Sequence, residues 1–168
     1  MNDVMVDLET MGTGGDAAII AIGAVMFDRN GLGDRFYEVI DLSSSVAGGG
    51  VIDPSTVIWW MKQGDAARAE FAREGRSIIQ VLLDFSTWLP PKSKIWGNGA
   101  TFDNVILASA YKRALLPVPW KYWDDRCYRT VAAMRPNIRK VVRGTAHNAL
   151  DDAEGQALHL IEVLNDIG

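Results

Sequence analysis

The sequence predicts an α/β domain built on a mixed five-stranded sheet flanked by helices. Two observations lead to this class. Strand patterns rich in apolar residues come first along the chain, and helices and strands then alternate, which is the order that gives a layered sheet. The length of 168 residues suits one domain with its own hydrophobic core, so residues 1–168 are interpreted as a single domain.

The first third of the chain supplies three predicted strands. Residues 3–9 and 17–27 have strand patterns, and the second is expected to be buried on both faces because it is almost continuously apolar. The turn RNGLG then leads into DRFYEVIDL, which predicts a hairpin. The SSSVAGGG stretch at 43–50 predicts a flexible loop.

Helices dominate the next part. DPSTVIWWMKQ predicts a helix with Asp53 as N-cap and Pro54 in the first helical position. A second helix is expected over about 77–88, where two prolines follow, and KIWGN at 94–98 predicts a short strand. Residues 101–116 predict another helix.

The last part of the chain has no regular hydrophobic pattern before its final helix. Residues 120–134 predict one short strand and a helix without a clean period. From Asn148 to the C-terminus the chain predicts an amphipathic helix. Its apolar face carries Leu150, Ala153, Ala157, Ile161 and Leu164.

Composition excludes several classes of protein. The net charge of -4 argues against binding nucleic acid by bulk electrostatics alone, although the segment from Arg126 to Arg143 is basic and contains no acid. The longest apolar run, 17–27, is shorter than the roughly 20 residues that span a bilayer, so no membrane partner is expected. The single cysteine, Cys127, cannot form an internal disulfide, which favours a cytoplasmic protein.

Acidic residues occur where predicted strands end and predicted helices begin. Asp7 and Glu9 close the first strand, and residues two apart in a strand share a face, so these side chains should be neighbours. Asp103 follows the short strand, and Asp151 and Asp152 open the final helix. Each group of acids also has a purely structural explanation. Asp103 and Asp152 could stabilise the N-terminal ends of their helices through the helix dipole, and Asp7 and Glu9 could simply lie at a solvated strand end.

Three segments that carry these acids, DLET, NGATFDN and HNALDDA, resemble the signature segments of the DEDDh 3′–5′ exonucleases, which include RNase T and polymerase proofreading subunits. The resemblance assigns Asp7, Glu9 and Asp103, and an acid five residues after His147 selects Asp152 over its neighbour. It implies an RNase H-like fold, similar to small phage-type or RNase T-like enzymes. The implied activity is release of nucleoside 5′-monophosphates from a 3′ end.

Clustered carboxylates need positive counter-charge, and all-oxygen ligands suit hard cations such as Mg²⁺ or Mn²⁺. Two such ions would activate water and stabilise the departing 3′ oxygen. As in similar enzymes, Asp7 is expected to bridge both ions. Glu9 and Asp152 are expected to hold the first ion, and Asp103 the second.

His147 is the candidate general base, because imidazole takes up a proton near neutral pH. It lies in RGTAH, a glycine-containing loop that would let it move when substrate binds. His159 lies on the final helix with no motif around it and is interpreted as structural.

Residues beside the acids are candidates for holding a single strand, which proteins bind by base stacking and a positive track. Trp59 and Trp60 are adjacent on a helix, so one can face the core and the other the substrate, and the sequence does not decide between them. For the basic residues, an ordinary solvated face is the alternative. The candidate substrate-binding residues are Leu8, Thr10, Met11, Asn98, Phe102, Trp60, Arg139 and Lys140.

Other functions fit parts of the pattern. A phosphodiesterase of very short oligonucleotides would use the same site, a catalytically silent nucleic-acid-binding module would keep only the fold, and an unrelated α/β domain would have no metal site. The sequence does not show whether the substrate is DNA or RNA, or whether it is single- or double-stranded. Similar enzymes suggest a possible homodimer.

Overall fold

The computed structural model of the protein describes residues 1–144 and 147–168, and five strands of this part form one mixed sheet. The strands are β1 (Asp3–Thr10), β2 (Ile19–Asp28), β3 (Gly31–Val39), β4 (Lys94–Gly97) and β5 (Asp125–Cys127). Their order across the sheet is β3-β2-β1-β4-β5. The pairs β1–β2 and β2–β3 are antiparallel, and β4 is parallel to both β1 and β5. The predicted mixed five-stranded sheet is therefore confirmed.

Helices flank this sheet, and a short 3-10 turn at Tyr122–Asp124 precedes β5. The α-helices of the described part are α1 (Leu42–Ala47), α2 (Pro54–Met61), α3 (Asp65–Phe71), α4 (Ile78–Trp88), α5 (Asp103–Arg113), α6 (Tyr128–Ala132) and α7 (Ala149–Ile167). None of them is both long enough and apolar enough to cross a membrane.

The loop predicted over residues 43–50 is wrong, because α1 occupies most of it. The Asp41 carboxylate accepts a hydrogen bond from the Ser44 backbone N–H at 2.7 Å and caps this helix. Serines that suggest a loop in the sequence therefore form a helical turn once a cap is available. The sequence also gives no sign of α3, whose short span carries no clear apolar period.

Two predicted helices also differ in detail from the structure. Asp53 is the N-cap residue of α2 as predicted, but its carboxylate accepts a hydrogen bond from Thr13 N at 3.1 Å instead of capping the helix. The helix predicted over 101–116 is shorter at both ends. It stops at Arg113 because Leu115 adopts the left-handed conformation, with φ of 56°, before the proline is reached.

The sheet is packed on both faces, and this determines where the acids of β1 point. Val6 and Leu8 join the larger core cluster, which includes side chains of α4 and α5, whereas Met5 packs on the other face against α6 and α7. Since side chains alternate along a strand, Asp7 and Glu9 share the face of Met5. Both acids therefore point toward α7 at the end of β1.

The first turn of α7 lies directly on the sheet at Gly23. A Cβ atom on this glycine would lie 2.1 Å from the carbonyl carbon of Ala149, so only glycine allows the approach. Gly23 pairs with Asp7 in the antiparallel ladder between β1 and β2. The start of α7 is thus fixed beside the first acid of the site.

Candidate active site

Asp7 and Glu9 are neighbours on one face of β1, as their spacing predicts. The Glu9 side chain belongs to a residue that is only 7% exposed, which excludes a simple solvated strand end. Asp7 is partly buried, and its Oδ1 accepts a hydrogen bond from Gln156 Nε2 at 2.8 Å. Burial of two adjacent acids is costly unless other groups compensate their charge.

Asp103 joins these acids from the start of α5. It is 2% exposed, and its Oδ1 accepts a hydrogen bond from the Leu8 backbone N–H at 3.2 Å, which ties α5 to β1 between the other two acids. Its Oδ2 is buried and has no hydrogen-bond partner among the described residues. A buried carboxylate oxygen in this state has an unused lone pair available to a cation.

The beginning of α7 supplies the last acid and the histidine. Asn148 caps the helix, and its side-chain oxygen accepts hydrogen bonds from the N–H groups of Leu150 and Asp151, both at 3.1 Å. Asp152 Oδ2 accepts a hydrogen bond from the backbone N–H of His147 at 3.1 Å. The choice of Asp152 made from the sequence therefore corresponds to the acid that contacts the histidine.

Side chains from β1 and from the start of α7 lie close enough together to bind a single metal ion. One ligand atom from each of Glu9, His147 and Asp152 lies within 4.8 Å of the others. The role of general base that the resemblance implies for His147 requires the residue to lie beside the acids, and it does so in the structure. Residues 145 and 146 of the RGTAH segment lie outside the described residues, and so does the predicted mobility of that loop.

Burial raises the pKa of all four carboxyl groups, and repulsion from the other acids of the site adds to the shifts of Asp7 and Glu9. Desolvation, followed by the charges of Asp152 and Asp103, raises the pKa of Glu9 from its ordinary value of 4.5 to about 8. Burial and then the charges of Asp103 and Glu9 raise the pKa of Asp7 well above its ordinary value. Burial also raises the pKa of Asp103, to about 6, and the pKa of Asp152. Carboxyl groups from three separate segments thus form one electrostatic unit.

Gln156 is a site residue that the sequence analysis does not identify. It lies one helical turn after Asp152, lines the cleft and donates to Asp7. Its Oε1 is buried without a partner among the described residues. The four-residue spacing from Asp152 was the available signal, because residues i and i+4 share a helix face.

A cleft of about 740 Å³ opens above the acids. Trp60 is 5% exposed and its Nε1–H donates to the Thr10 carbonyl oxygen at 2.9 Å, whereas Trp59 is 42% exposed. Both rings meet the His147 ring edge to face, with centroids 5.0 Å away for Trp59 and 5.8 Å away for Trp60. The buried tryptophan therefore anchors the wall, and the exposed one presents its surface to the cleft.

Most of the candidate substrate-binding residues are brought together around this cleft, but two are not. Met11 packs with the small cluster around Ile20 and Trp60, and Arg139 is exposed away from the cleft lining. Strand alternation would place Met11 on the face of Asp7 and Glu9, but β1 ends at Thr10 and the ladder shifts register after Glu9, so the alternation does not extend to Met11. The candidates that do line the cleft are Leu8, Thr10, Asn98, Phe102, Trp60 and Lys140.

His159 is structural, as its lack of a motif predicts. It is 2% exposed, its Nδ1 lies 2.8 Å from the Tyr128 hydroxyl oxygen, and its Nε2 lies 3.0 Å from the carbonyl oxygen of Ile138. Because a carbonyl oxygen only accepts, Nε2 carries the proton and Nδ1 accepts from the tyrosine.

A sheet in this strand order, with acids gathered at the carboxyl end of its first strand, is the architecture of the RNase H-like DEDDh 3′–5′ exonucleases. Within that class, the chain belongs to the Rv2179c-like family, described as a 3′-5′ exoribonuclease Rv2179c-like domain, whose model matches residues 2–164. An exodeoxyribonuclease of Enterobacteria phage T4 is 31% identical over 160 residues, covering 77% of this chain and 70% of the phage protein.

Solved nuclease structures share the fold at low sequence identity. The nuclease domain of 3′hExo, a DEDDh family member bound to rAMP, gives a TM-score of 0.64 at 15% identity, covering 98% of this chain and 92% of that chain. Exonuclease X in complex with 5′ overhanging duplex DNA gives a TM-score of 0.61 at 18% identity, with the same two coverages. The RNase H-like fold implied by the sequence motifs is therefore confirmed.

Proposed function

We propose that the protein uses divalent metal ions to remove nucleoside 5′-monophosphates one at a time from the 3′ end of single-stranded nucleic acid. The observation that carries this proposal is the convergence of acids from β1, α5 and α7 beside His147, at the floor of an open cleft. Membership of a 3′–5′ exonuclease family supports the same reaction.

The residues present suit two Mg²⁺ or Mn²⁺ ions. Their donors are carboxylate oxygens, the ligands that these cations prefer, and the unpartnered Oδ2 of Asp103 is one such donor. Burial raises the pKa values of these carboxyl groups, and a bound cation would offset that cost because it favours their ionised forms. The residues that would hold the ions are Asp7, Glu9, Asp103 and Asp152. When bound, they would supply Lewis-acid stabilisation of the scissile phosphate and of the departing 3′ oxygen.

His147 is proposed as the general base that takes a proton from the attacking water. The hydrogen bond from its backbone N–H to Asp152 supports this role, because it holds the residue beside the acids. The edge-to-face contacts with Trp59 and Trp60 restrict its ring on the other side. The bond that breaks joins phosphorus to the 3′ oxygen of the preceding nucleotide, so the product keeps a 5′-phosphate.

The strand is proposed to enter along the wall opposite the acids. Trp59 is the exposed ring and is assigned the stacking role that the sequence could not place. Leu8 and Phe102 line the cleft near the acids, where they would contact the terminal sugar and base. Lys140 is the basic residue of the predicted pair that lines the cleft and would contact backbone phosphate.

Digestion of 5′-labelled oligonucleotides tests the proposal. We expect single-stranded substrates with Mg²⁺ or Mn²⁺ to give a ladder that shortens from the 3′ end, and chelator to abolish it. The substrates should include DNA and RNA, because the family description names a ribonuclease and the phage relative is a deoxyribonuclease. Asp7→Asn and Asp152→Asn should remove activity while the fold is kept. Wild-type turnover in either variant would overturn the assignment.

The proposal extends to a homodimer that works in the cytoplasm. A free thiol at Cys127 suits a reducing compartment. The stacked pair Tyr122 and Trp123, with exposures of 81% and 61%, offers apolar surface for a second copy. Sedimentation analysis should give twice the monomer mass, and a monomer at micromolar concentration would contradict this part.

A further inference from the structure

Residues 138–144 run along α7 and contact it at successive helical turns, and we call this segment the α7 strap. It includes Lys140, Val141, Val142 and Arg143, which all line the cleft. The same helix carries Asp152 and Gln156 toward the acids. The strap therefore forms a wall of the cleft that is attached to the helix bearing part of the active site.

The first attachment is at the start of the strap. The Ile138 carbonyl oxygen accepts a hydrogen bond from Nε2 of His159, which is buried and is itself held by Tyr128. The hydrogen bond to Tyr128 is buried and the one to Ile138 is partly buried, so His159 holds this end of the strap against α7.

At the next two attachments a glycine, one on α7 and one on the strap, allows the two segments to come into close contact. A Cβ atom on Gly155 would lie 2.6 Å from the Val141 carbonyl oxygen, so the strap backbone lies directly on the helix there. Gly144 has φ of 42°, and a Cβ atom on it would lie 2.0 Å from Oδ2 of Asp151. Positions 151, 155 and 159 are four apart, so these contacts follow one stripe of the helix.

Glu154 provides the charged attachment. It is 7% exposed, and its carboxylate bridges two arginines from different elements. Its Oε2 accepts hydrogen bonds from Nη2 of Arg143 at 3.1 Å and from Nε at 3.3 Å, while its Oε1 accepts a short hydrogen bond from Arg35 on β3. Through Arg143, Glu154 thus holds the strap on α7, while Arg35 attaches the same carboxylate separately to β3.

We propose that Glu154 is a positioning residue for substrate binding: by holding Arg143, it fixes the α7 strap as a preformed track for the phosphates upstream of the scissile bond. This inference rests on the proposed function. A track held in place before binding loses less conformational entropy when the strand arrives, so it improves binding without touching the reacting atoms.

Kinetics and binding with two variants and a matched control test this role. Arg143→Met removes the strap side of the bridge and Glu154→Gln removes its charge, whereas Arg35→Met removes an arginine from the same carboxylate without touching the strap. We expect both test variants to raise KM for a 12-nucleotide single strand about five- to ten-fold with little change in kcat, and Arg35→Met to change neither. The KM for a dinucleotide, which has no upstream phosphate, should not move in any of the three.

Binding of a fluorescent 12-mer in Ca²⁺ gives a readout that does not need turnover, and it separates this inference from the proposed function. We expect the same loss of affinity for Arg143→Met and Glu154→Gln, and the double variant should lose no more than the weaker-binding single variant, because both changes release the same contact. Unchanged binding in Glu154→Gln, or an equal loss in Arg35→Met, would overturn the positioning role. Absence of hydrolysis by the wild type would instead count against the proposed function.

Discussion

At the scale of single residues, the site is defined by acids that the fold buries together. Glu9 and Asp103 are 7% and 2% exposed, and burial is the main cause of the raised pKa of each, to which the charges of Asp152 and Asp103 add for Glu9. Such an arrangement lowers stability when no ligand is present, and groups with strongly perturbed pKa values concentrate at functional sites. Asp7 receives a partial compensation from the amide of Gln156.

The hydrogen bond from Gln156 to Asp7 should tune metal binding. Gln156→Ala removes the donor that orients the carboxylate, and outer hydrogen-bond partners of metal ligands typically contribute about ten-fold or more in affinity. We expect weaker Mn²⁺ binding by calorimetry and a higher Mn²⁺ concentration for half-maximal activity, with kcat largely recovered at saturation. Gln80→Ala, on the exposed side of α4, is the matched control. Unchanged Mn²⁺ affinity in Gln156→Ala would show that the contact has no such role.

Substitutions of the two adjacent tryptophans should have different effects, one on substrate binding and the other on stability. Trp59→Ala removes an exposed ring and should raise KM roughly ten-fold with an unchanged Tm, because base stacking contributes about 1–3 kcal/mol. Trp60→Phe loses the hydrogen bond to the Thr10 carbonyl and should lower stability by about 1 kcal/mol. Thermal melts and steady-state kinetics on both variants check this. The assignment fails if Trp59→Ala lowers Tm and leaves KM unaltered.

At the scale of elements, the contact of α7 with β2 sets the distance between the acids of β1 and those of the helix. Gly23→Ala would place a methyl group against the backbone of Ala149 and push the start of α7 outward. We expect a clear loss of stability and a larger loss of kcat, because Asp152 moves away from Glu9. Denaturant unfolding and kinetics measure the two effects.

Gly64→Ala is the control for that substitution, since a methyl group there meets no atom within 4 Å and φ is -65°. Because Gly64 is the N-cap residue of α3, where alanine is less favourable than glycine, we expect a loss of at most about 1 kcal/mol in stability and no change in rate. Equal behaviour of the two alanine variants would show that the approach of α7 to the sheet does not set the site geometry.

The sequence predicts the parts of this fold and site that depend on local periodicity. Alternation along β1 places Asp7 and Glu9 together, and the cap at Asn148 marks the start of α7. Contacts set by tertiary packing have no such signal. The helix at α1 needs the Asp41 cap, and the α7 strap needs the approach of Val141 to Gly155, so neither could be derived from local pattern.

At the scale of the whole molecule, the acidic site should make stability depend on pH and metal. The folded-state pKa of Glu9, about 8, lies above its ordinary value of 4.5, so between these pH values the folded chain retains a proton that the unfolded chain releases. Stability contributed by this group is full below pH 4.5 and is lost as the pH rises through 8. In chelator we therefore expect Tm to fall between pH 6 and pH 8.

Added Mn²⁺ and the Glu9→Gln variant test whether the acidic site causes this decrease in Tm. Mn²⁺ should raise Tm most at pH 8, because it binds the ionised carboxylates of the folded chain. Glu9→Gln should flatten the pH dependence in chelator, since the substitution removes a titrating group from the site. A Tm in chelator that stays constant or increases over this range would contradict the electrostatic description of the site.

Because the chain is acidic overall, the position of its basic segment is important for binding nucleic acid. An overall charge of -4 does not favour nucleic acid, so binding must depend on where the positive groups lie. Lys140 and Arg143 of the α7 strap are placed at the cleft, whereas Arg135 pairs with Asp166 at the far end of α7. Local placement of a few cations thus replaces bulk attraction.

We infer that acids from three separate segments form one site for divalent cations. Anomalous diffraction from a crystal soaked in Mn²⁺ is the decisive test of this site. We predict two manganese peaks enclosed by the carboxylates of Asp7, Glu9, Asp103 and Asp152. A map with no peak among these side chains, at an occupancy sufficient to show manganese elsewhere, would contradict the account.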